Sequence, residues 1–233
     1  MNVIITGASK GFGKSIAEKF ATHGHHLYLC SRSEVALYKT MEELMTKYPA
    51  ITIKAKPFDL SQKGEAKEFG NWILSLGIQI DVLVNNAGQF IPGSVYNEED
   101  GVLEQMLAVN LSSAYHLTRT LLPAMMLQKS GHIFNLCSVA ALKAYPNGGA
   151  YSISKFALLG FSKNLRHEMM PHGIKVTAVL PGAAMTDSWE GFDNSQHRIM
   201  EAADISDMIY ASTQLSKSAV VEDIIIRPQL GDL

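Results

Sequence analysis

Near its start the chain carries the run Asn2-Val3-Ile4-Ile5-Thr6-Gly7-Ala8-Ser9-Lys10-Gly11-Phe12-Gly13. Its first five residues contain the apolar run Val3-Ile4-Ile5, which predicts a buried strand, and a helical pattern follows over 12–23. Glycines at such a junction permit a tight turn and let a pyrophosphate approach the backbone at the positive end of the helix dipole. The spacing Gly-x-x-x-Gly-x-Gly differs from the ordinary dinucleotide fingerprint, and methyltransferases and plain turns also contain glycine-rich loops. The position directly after the first strand favours a nucleotide site.

The rest of the chain alternates strand and helix patterns. Runs rich in Val, Ile and Leu predict strands at 2–6, 26–30, 51–57, 80–85, 132–137, 174–180 and 220–227. Helical patterns occupy 12–23, 33–48, 62–76, 99–128, 152–171 and 204–215. This alternation predicts right-handed crossovers and a doubly wound α/β fold, a parallel sheet of about seven strands with helices on both faces. No repeat or linker interrupts it, so we expect residues 1–233 to form a single domain.

Local signals mark several boundaries of these elements. Gly24 and Gly173 follow helical patterns as C-cap candidates, and Ser31-Arg32-Ser33-Glu34 matches a capping box opening the second helix. Residues 183–203 form a connection longer than a compact fold needs, which is typical of a lid or binding loop.

Composition limits the classes of function. The chain has 233 residues, 47% of them hydrophobic, and a formal net charge of −2 without a basic block, so neither nucleic acid nor an anionic membrane is an expected partner. The first strand leaves no room for a signal peptide, and no apolar run approaches the roughly 18 residues of a membrane span. Cys30 and Cys137 each end an apolar strand and are interpreted as small buried hydrophobes in a reducing compartment. We therefore expect a soluble cytoplasmic protein.

Three polar side chains are candidates for proton-transfer chemistry. Tyr151 and Lys155 are four residues apart, which places them on one face of a helix. Ser138 closes an apolar strand, and the carboxyl ends of parallel strands are where such sheets bind ligands. A phenol, an ammonium and a hydroxyl at one crevice would act on a carbonyl or an alcohol. The alternative for the Tyr-Lys pair is an aromatic on the core face with a snorkelling lysine.

Other constellations do not meet the requirements of their chemistry. His167 and His172 are five residues apart with Pro171 between them, whereas a zinc helix needs a spacing of four. The histidines of His23-Gly24-His25-His26 are ordinary for a last helical turn, and no Gly-x-Ser-x-Gly surrounds Ser138. We expect neither a metal site nor a hydrolase.

A larger set of motifs contains these residues. Thr6-Gly7-x-x-x-Gly11-x-Gly13 is followed by Asn85-Asn86-Ala87-Gly88, Asn110, Ser138, Tyr151-x-x-x-Lys155 and Pro181-Gly182 with Thr186. In order and spacing this set resembles the short-chain dehydrogenase/reductase family, from residue 2 to about 227. The resemblance implies a single-domain Rossmann fold, carbonyl or alcohol oxidoreduction with a nicotinamide nucleotide, and a homodimer or homotetramer. The stretch at 138–141 and the tail Ile226-Arg227-Pro228-x-x-Gly231-Asp232 look like bacterial sepiapterin-reductase-like members.

The resemblance also implies individual roles. The catalytic set would be Ser138, Tyr151, Lys155 and Asn110, the last holding a water near the lysine. In the family, Asp59 faces the adenine amino group, the segment 85–88 lines the adenosine, Lys155 binds the nicotinamide ribose and Thr186 the carboxamide. Asp59 could also be only a helix N-cap, and segment 85–88 only a turn. The full cofactor set would be Gly7, Ser9, Lys10, Gly11, Phe12, Gly13, Ser31, Arg32, Asp59, Leu60, Asn86, Ala87, Gly88, Tyr151, Lys155, Pro181, Gly182 and Thr186.

The residues after the second strand favour NADPH over NADH. NAD sites place a carboxylate there for the ribose 2′-hydroxyl, but this chain has Ser31 followed by Arg32. With Lys10 in the glycine loop, two cations and no carboxylate fit a 2′-phosphate, and Glu34 is assigned to the capping box.

In the expected reaction Tyr151 donates its proton to the carbonyl oxygen, while Ser138 hydrogen-bonds that oxygen. Lys155 and the oxidised nicotinamide should lower the pKa of the phenol from about 10. Two rivals remain: a catalytically silent NADP-binding redox sensor, and a methyltransferase, which would need neither Tyr151 nor Lys155.

The expected substrate is a small carbonyl compound or alcohol. An apolar and aromatic pocket is predicted from Phe90, Leu142, Tyr145, Met185, Trp189, Phe192 and His197, although these side chains could simply pack the lid. A sepiapterin-like reductase would need an acid to hold the pterin, for which Asp232 is the tail candidate. Apolar residues on more than one face of the helices at 99–128 and 152–171 predict a homo-oligomer joined through them.

Overall fold

A computed structural model describes residues 1–186, 189 and 191–232. Within these residues one parallel sheet of seven strands has the order β3-β2-β1-β4-β5-β6-β9. Its strands are β1 (Asn2–Thr6), β2 (His26–Ser31), β3 (Ile53–Pro57), β4 (Val82–Asn85), β5 (Gly131–Leu136), β6 (Ile174–Pro181) and β9 (Asp223–Ile226). A second, two-stranded pairing joins β7 (Ala184–Met185) to β8 (Met200–Glu201). The predicted doubly wound α/β fold is confirmed.

Helices cover both faces of the sheet. They are α1 (Gly11–Thr22), α2 (Glu34–Lys47), α3 (Glu65–Ser75), α4 (Val102–Leu107), α5 (Ser113–Gln128), α6 (Gly149–Met169) and α7 (Ala202–Thr213). Val3 and Ile5 of β1 pack in one apolar cluster with α1, α2 and α7, whereas Ile4 packs in the other with α3, α5 and α6. Because successive strand residues point to opposite faces, a strand covered on both sides must be apolar throughout.

The region predicted as one helix over 99–128 is interrupted. Gly101 has a φ of 92°, so α4 begins only at Val102, and a π-helical turn at Ala108–Ser112 separates α4 from α5. Likewise α6 ends at Met169, and Pro171 lies in a 3₁₀ turn that follows it. Such π turns occur inside helices at functional sites, and this one contains Asn110.

The capping prediction for the second helix was wrong, whereas both C-cap glycines are confirmed. Ser33 caps α2, accepting a hydrogen bond from Ala36 N, while Ser31 ends β2 with its hydroxyl on Ser9. Glu34 is the first helical residue, so it cannot be the third-position partner of a capping box. Gly24 and Gly173 have φ values of 76° and 70°, the left-handed conformation that favours glycine after a helix.

The long connection at 183–203 begins in β7 and ends in β8, whose pairing draws its two ends together. Asp187, Ser188 and Glu190 lie outside the described residues. Both cysteines are buried and free, as expected of small apolar side chains. None of the helices in the described part of the chain has the length and hydropathy needed to span a membrane.

Candidate active site

The predicted residues gather at the carboxyl edge of the sheet, where the glycine loop joins β1 to α1. Gly7 and Gly11 have φ values of 64° and 52°. A Cβ on Gly13 would lie 2.2 Å from the Gly7 carbonyl oxygen, so a side chain there would displace the loop. The loop therefore keeps its main chain accessible beside a helix N-terminus, whose first N–H groups have no partner within the helix.

The segment after β4 supports this loop, so it is more than a turn. The Asn86 side-chain amide donates to the carbonyl oxygens of Thr6 (2.8 Å) and Gly7 (3.1 Å). In return the Thr6 hydroxyl accepts from the backbone N–H groups of Asn86 (3.0 Å) and Ala87 (2.9 Å). The conformation of the glycine loop thus depends on β4 as well as on β1.

Candidate groups for a 2′-phosphate lie at the end of β2. The hydroxyls of Ser9 and Ser31 are 2.8 Å apart and join the glycine loop to this strand. Arg32 follows with an exposed side chain, and Lys10 is exposed in the loop. Hydroxyls and cations at one corner suit an anionic group.

Asp59 follows β3 beside this corner. Burial opposes its ionisation, but hydrogen bonds from Ser61 and the charge of Arg32 together hold the pKa of the carboxyl below its ordinary value. Asp59 does not cap α3, which begins at Glu65 after Gly64, so the N-cap alternative is wrong. Leu60 is buried in the core, whereas Phe12 packs against the core with partial exposure.

Helix α6 brings Tyr151 and Lys155 to the end of β5. The ammonium of Lys155 lies 5.7 Å from the Tyr151 ring centroid and donates a 2.7 Å hydrogen bond to the Leu136 carbonyl oxygen. The lysine is only 5% exposed, and burial lowers its pKa to about 8. This is not a lysine that snorkels to solvent.

Ser138 lies beside the phenol. Its hydroxyl accepts from Ala140 N (3.1 Å) and caps the 3₁₀ turn at Val139–Ala141. Burial raises the pKa of the Tyr151 phenol, and the hydrogen bond with Ser138 acts in the opposite direction. Burial thus outweighs the favourable polar contact in the protein alone. The lowering expected with the oxidised nicotinamide bound stays a prediction.

Asn110 is buried in the π-helical turn and connects three segments. Its amide donates to the Gln89 carbonyl oxygen (3.0 Å) and to Ser154 Oγ (2.8 Å), and its Oδ1 accepts from Gln89 N (2.8 Å). A Cβ on Gly88 would lie 3.1 Å from Asn110 Oδ1 and 3.5 Å from Lys155 Nζ. Glycine at position 88 thus leaves space between the amide and the ammonium.

The predicted substrate residues fall into two groups. The Phe90 ring packs edge-on against Tyr151, with centroids 4.9 Å apart, and both Phe90 and Leu142 are exposed. Burial raises the pKa of the nearby Tyr145 to about 12. In the long loop Trp189 and Phe192 contact each other at 5.2 Å, Met185 belongs to β7, and His197 is exposed.

The residues after β6 close the site on the side of the long loop. Pro181 ends β6, and Gly182 N donates to the Ile226 carbonyl oxygen at 2.8 Å. Thr186 lies against the glycine loop, since a Cβ on Gly11 would be 3.5 Å from Thr186 Cβ. This places the predicted nicotinamide-side residues opposite the predicted phosphate-side glycines.

The C-terminal tail lies next to Gly182. Asp232 Oδ1 is 3.4 Å from where a Gly182 Cβ would be, and its Oδ2 pairs with Arg227 and with Lys143 (3.6 Å). Arg198 of the long loop donates to the carbonyl oxygens of Gly231 (3.0 Å) and Asp232 (3.1 Å). The carboxylate proposed for a pterin is therefore already engaged by two cations.

Sequence reasoning missed two polar residues at this site. Ser154 accepts from Asn110 and donates to the Tyr151 carbonyl oxygen (2.7 Å). Glu98 accepts from Ala150 N (2.8 Å), directly before Tyr151. No local signal identifies Glu98, although adjacent glycines at 148 and 149 without a capping side chain indicate that the helix start needs an external acceptor.

Comparisons with known proteins agree with this geometry. A family model described as short chain dehydrogenase matches residues 1–197. An uncharacterized oxidoreductase of Staphylococcus epidermidis is 32% identical over 228 residues, covering 97% of this chain and 96% of the relative. A sepiapterin reductase of Chlorobaculum tepidum is 34% identical over 242 residues, covering 99% and 97%. A solved metagenomic short-chain oxidoreductase in complex with NADP has a TM-score of 0.84, 28% identity and coverage of 98% and 97%.

Proposed function

The chain belongs to the short-chain dehydrogenase family, and from this we propose that it is an NADPH-dependent oxidoreductase, reducing a ketone or aldehyde or oxidising the matching alcohol. The observation that carries the proposal is the convergence of Ser138, Tyr151 and Lys155 at the end of β5. We propose that residues 1–233 act as one nucleotide-binding domain, with 183–203 as its substrate loop, in the cytoplasm.

The residues present fit a dinucleotide phosphate. Gly7, Gly11 and Gly13 leave the main chain open at the start of α1, whose first turn contains no acidic residue to repel an anion. Ser9, Lys10, Ser31 and Arg32 would hold the 2′-phosphate. When bound, NADPH would supply the hydride.

In the reductive direction, Tyr151 would donate its phenolic proton to the substrate oxygen while Ser138 donates a hydrogen bond to the same atom. A phenol whose pKa is raised by burial stays protonated at neutral pH, which suits an acid. Lys155, fixed by the Leu136 carbonyl oxygen, would place its charge beside the tyrosine and bind ribose hydroxyls. Asn110, separated from the lysine by Gly88, would hold the water through which the proton is replaced.

A silent redox sensor is the rival that shares the nucleotide site. Such a protein has no need of a buried ammonium beside a phenol, and burying a charge is costly unless it is used or paired. A methyltransferase would need neither residue. Sepiapterin-like reduction has one supporting observation, the 34% identity to a sepiapterin reductase, but Asp232 would have to exchange its cationic partners for the pterin.

The decisive experiment mixes the protein with NADPH and a panel of ketones and aldehydes, and follows nucleotide absorbance. Wild type should turn over, whereas Tyr151→Phe should keep the fold and NADPH binding and lose nearly all activity. Lys155→Ala should weaken both the rate and nucleotide binding. A Tyr151→Phe rate within tenfold of wild type would show that another group is the acid. No turnover by wild type with any carbonyl, despite NADPH binding, would favour the sensor.

We further propose a homodimer or homotetramer joined through α4, α5 and α6. Met106, Leu117 and Leu158 of these helices are buried, but Leu103, Ile153 and Phe156 are 39%, 44% and 45% exposed. Apolar side chains left exposed on adjacent helices favour association. Sedimentation at micromolar concentration should give an oligomer, and a monomer would contradict this proposal.

A further inference from the structure

The helix that carries Tyr151 is anchored by a carboxylate from another part of the chain. Glu98 Oε1 accepts a 2.8 Å hydrogen bond from Ala150 N, 52 residues away in sequence. The N-cap of α6 is Gly148, which has no side chain to satisfy the first helical N–H groups. Glu98 supplies that acceptor, and its negative charge lies at the positive end of the helix dipole.

Glycines at positions 93 and 149 leave room for the Glu98 side chain. A Cβ on Gly149, whose φ is 26°, would lie 1.9 Å from Glu98 Oε1, and a Cβ on Gly93 would lie 2.6 Å from Glu98 Cγ. Two further contacts join the same segments, Gly93 N to the Asn147 carbonyl oxygen and Ser94 Oγ to Asn147 Oδ1, each 3.2 Å. Residues 93–98 and 147–150 thus form one connected unit, which we call the Glu98 clasp.

The clasp acts on the first turn of α6 and not on its body. From Ser154 onward α6 is held by buried residues including Lys155, Leu158 and Leu165. The first turn, which carries Tyr151, is also held by the buried Ala150 and by the hydrogen bond of Ser152 to the Ala140 carbonyl oxygen (2.7 Å). Without Glu98 the body of the helix would stay docked, but the first turn would lose the acceptor that fixes its N-terminal end.

We propose that Glu98 is a positioning residue that aligns the Tyr151 phenol with Ser138. The proposal rests on the proposed oxidoreductase function. A misplacement of about 1 Å can cost on the order of a hundredfold in rate. Because Lys155 lies in the fixed part of the helix, NADPH binding should not change.

The test compares Glu98→Ala, Glu98→Gln and Glu98→Asp with the neighbouring exposed residue in Glu99→Ala as control. We expect Glu98→Ala to lower kcat roughly ten- to a hundredfold, with the dissociation constant of NADPH within twofold of wild type. Glu98→Gln keeps an acceptor oxygen, so its kcat should remain within about threefold of wild type. The side chain of Glu98→Asp is shorter, and its kcat should lie between those of Glu98→Gln and Glu98→Ala. Glu99→Ala should match wild type. If Glu98→Ala fails to fold, kcat and NADPH binding of Glu98→Asp are compared with wild type instead.

Amide hydrogen exchange gives a readout that needs no turnover. In Glu98→Ala, exchange should accelerate over residues 147–152 and stay unchanged over 155–165. Unchanged exchange at 147–152, or faster exchange with kcat unaltered, would overturn the proposal, as would equal losses of kcat and NADPH affinity. Absence of carbonyl reduction by wild type would instead count against the proposed function, and exchange would still decide whether Glu98 anchors the first turn.

Discussion

Replacing Arg32 by alanine should weaken the binding of NADPH far more than that of NADH. Arg32 directly follows Ser31, whose hydroxyl is held 2.8 Å from that of Ser9, so its backbone position relative to the glycine loop is fixed. The guanidinium can bind a phosphate through two parallel hydrogen bonds. NADH has a hydroxyl in place of that phosphate and gives this arginine no anion to bind.

The magnitude follows from the surroundings of Arg32. A charge-assisted hydrogen bond contributes about 1.5–3 kcal/mol. Arg32 is exposed, and its charge already helps to lower the pKa of Asp59, so both solvent and a competing carboxylate reduce its contribution. We therefore expect a loss of about 1.5–2 kcal/mol, roughly a ten- to thirtyfold rise in the dissociation constant for NADPH.

Titration calorimetry with both nucleotides would measure this difference. Wild type, Arg32→Ala and Ser31→Asp should be compared with Arg119→Ala, another exposed arginine, which lies on α5. Ser31→Asp should shift the preference from NADPH toward NADH more than Arg32→Ala does, because the new carboxylate repels the phosphate and can bind the ribose hydroxyls. Equal losses for NADH and NADPH in Arg32→Ala would mean that the arginine supports the loop instead. A wild type that prefers NADH would refute the assignment.

Other predictions follow from Gly13 and from the buried lysine. Gly13→Ala should abolish nucleotide binding and destabilise the fold by about 1–3 kcal/mol, because its Cβ would lie 2.2 Å from the Gly7 oxygen. Thermal or denaturant unfolding would measure the loss of stability, and unchanged nucleotide binding would contradict the prediction. Lys155→Met should be more stable than wild type at pH 7 by up to about 3 kcal/mol, since burial lowers the lysine pKa from 10.5 to about 8. The loss of the hydrogen bond to the Leu136 carbonyl oxygen reduces this gain. Between about pH 8 and pH 10.5 the folded lysine is neutral while the unfolded one is charged, so the free energy of unfolding of wild type rises with pH. The difference in stability between Lys155→Met and wild type should therefore become smaller over this range. A difference that does not change with pH would contradict this reasoning.

Repetition of strand and helix made the fold predictable, because each strand of a covered parallel sheet must be apolar on both faces. Val3 and Ile5 pack in the apolar cluster on one face of the sheet and Ile4 in the cluster on the other face, and apolar strands recur along the chain. The positions of Ser138, Tyr151 and Lys155 were predictable for a related reason. Once the carboxyl edge of the sheet is known, residues that end a strand or begin the next helix must lie there.

What the sequence did not reveal depends on contacts between distant segments. The π-helical turn at Asn110 was not predicted from helical periodicity. Its side chain bonds to Gln89 and Ser154, which lie in other segments of the chain. Ser33 and not Ser31 caps α2, because β2 extends through Ser31 and the helix begins only at Glu34. The local motif did not reveal where the strand ends. The rise in the pKa of Tyr151 caused by burial was not predicted, because burial cannot be estimated from spacing.

The internal position of β1 in the sheet also determines when the nucleotide site can form during synthesis. One edge of β1 pairs with β2, which follows within about 25 residues, but the other pairs with β4, as in Val3 with Val82. Until β4 has been translated, that edge of an apolar strand stays unpaired, which exposes it to aggregation. The Thr6 hydroxyl likewise cannot accept its two backbone hydrogen bonds until Asn86 and Ala87 have been translated. A chain truncated between β3 and β4 would therefore contain the glycine loop without the contacts from Asn86 and Ala87 that fix its conformation.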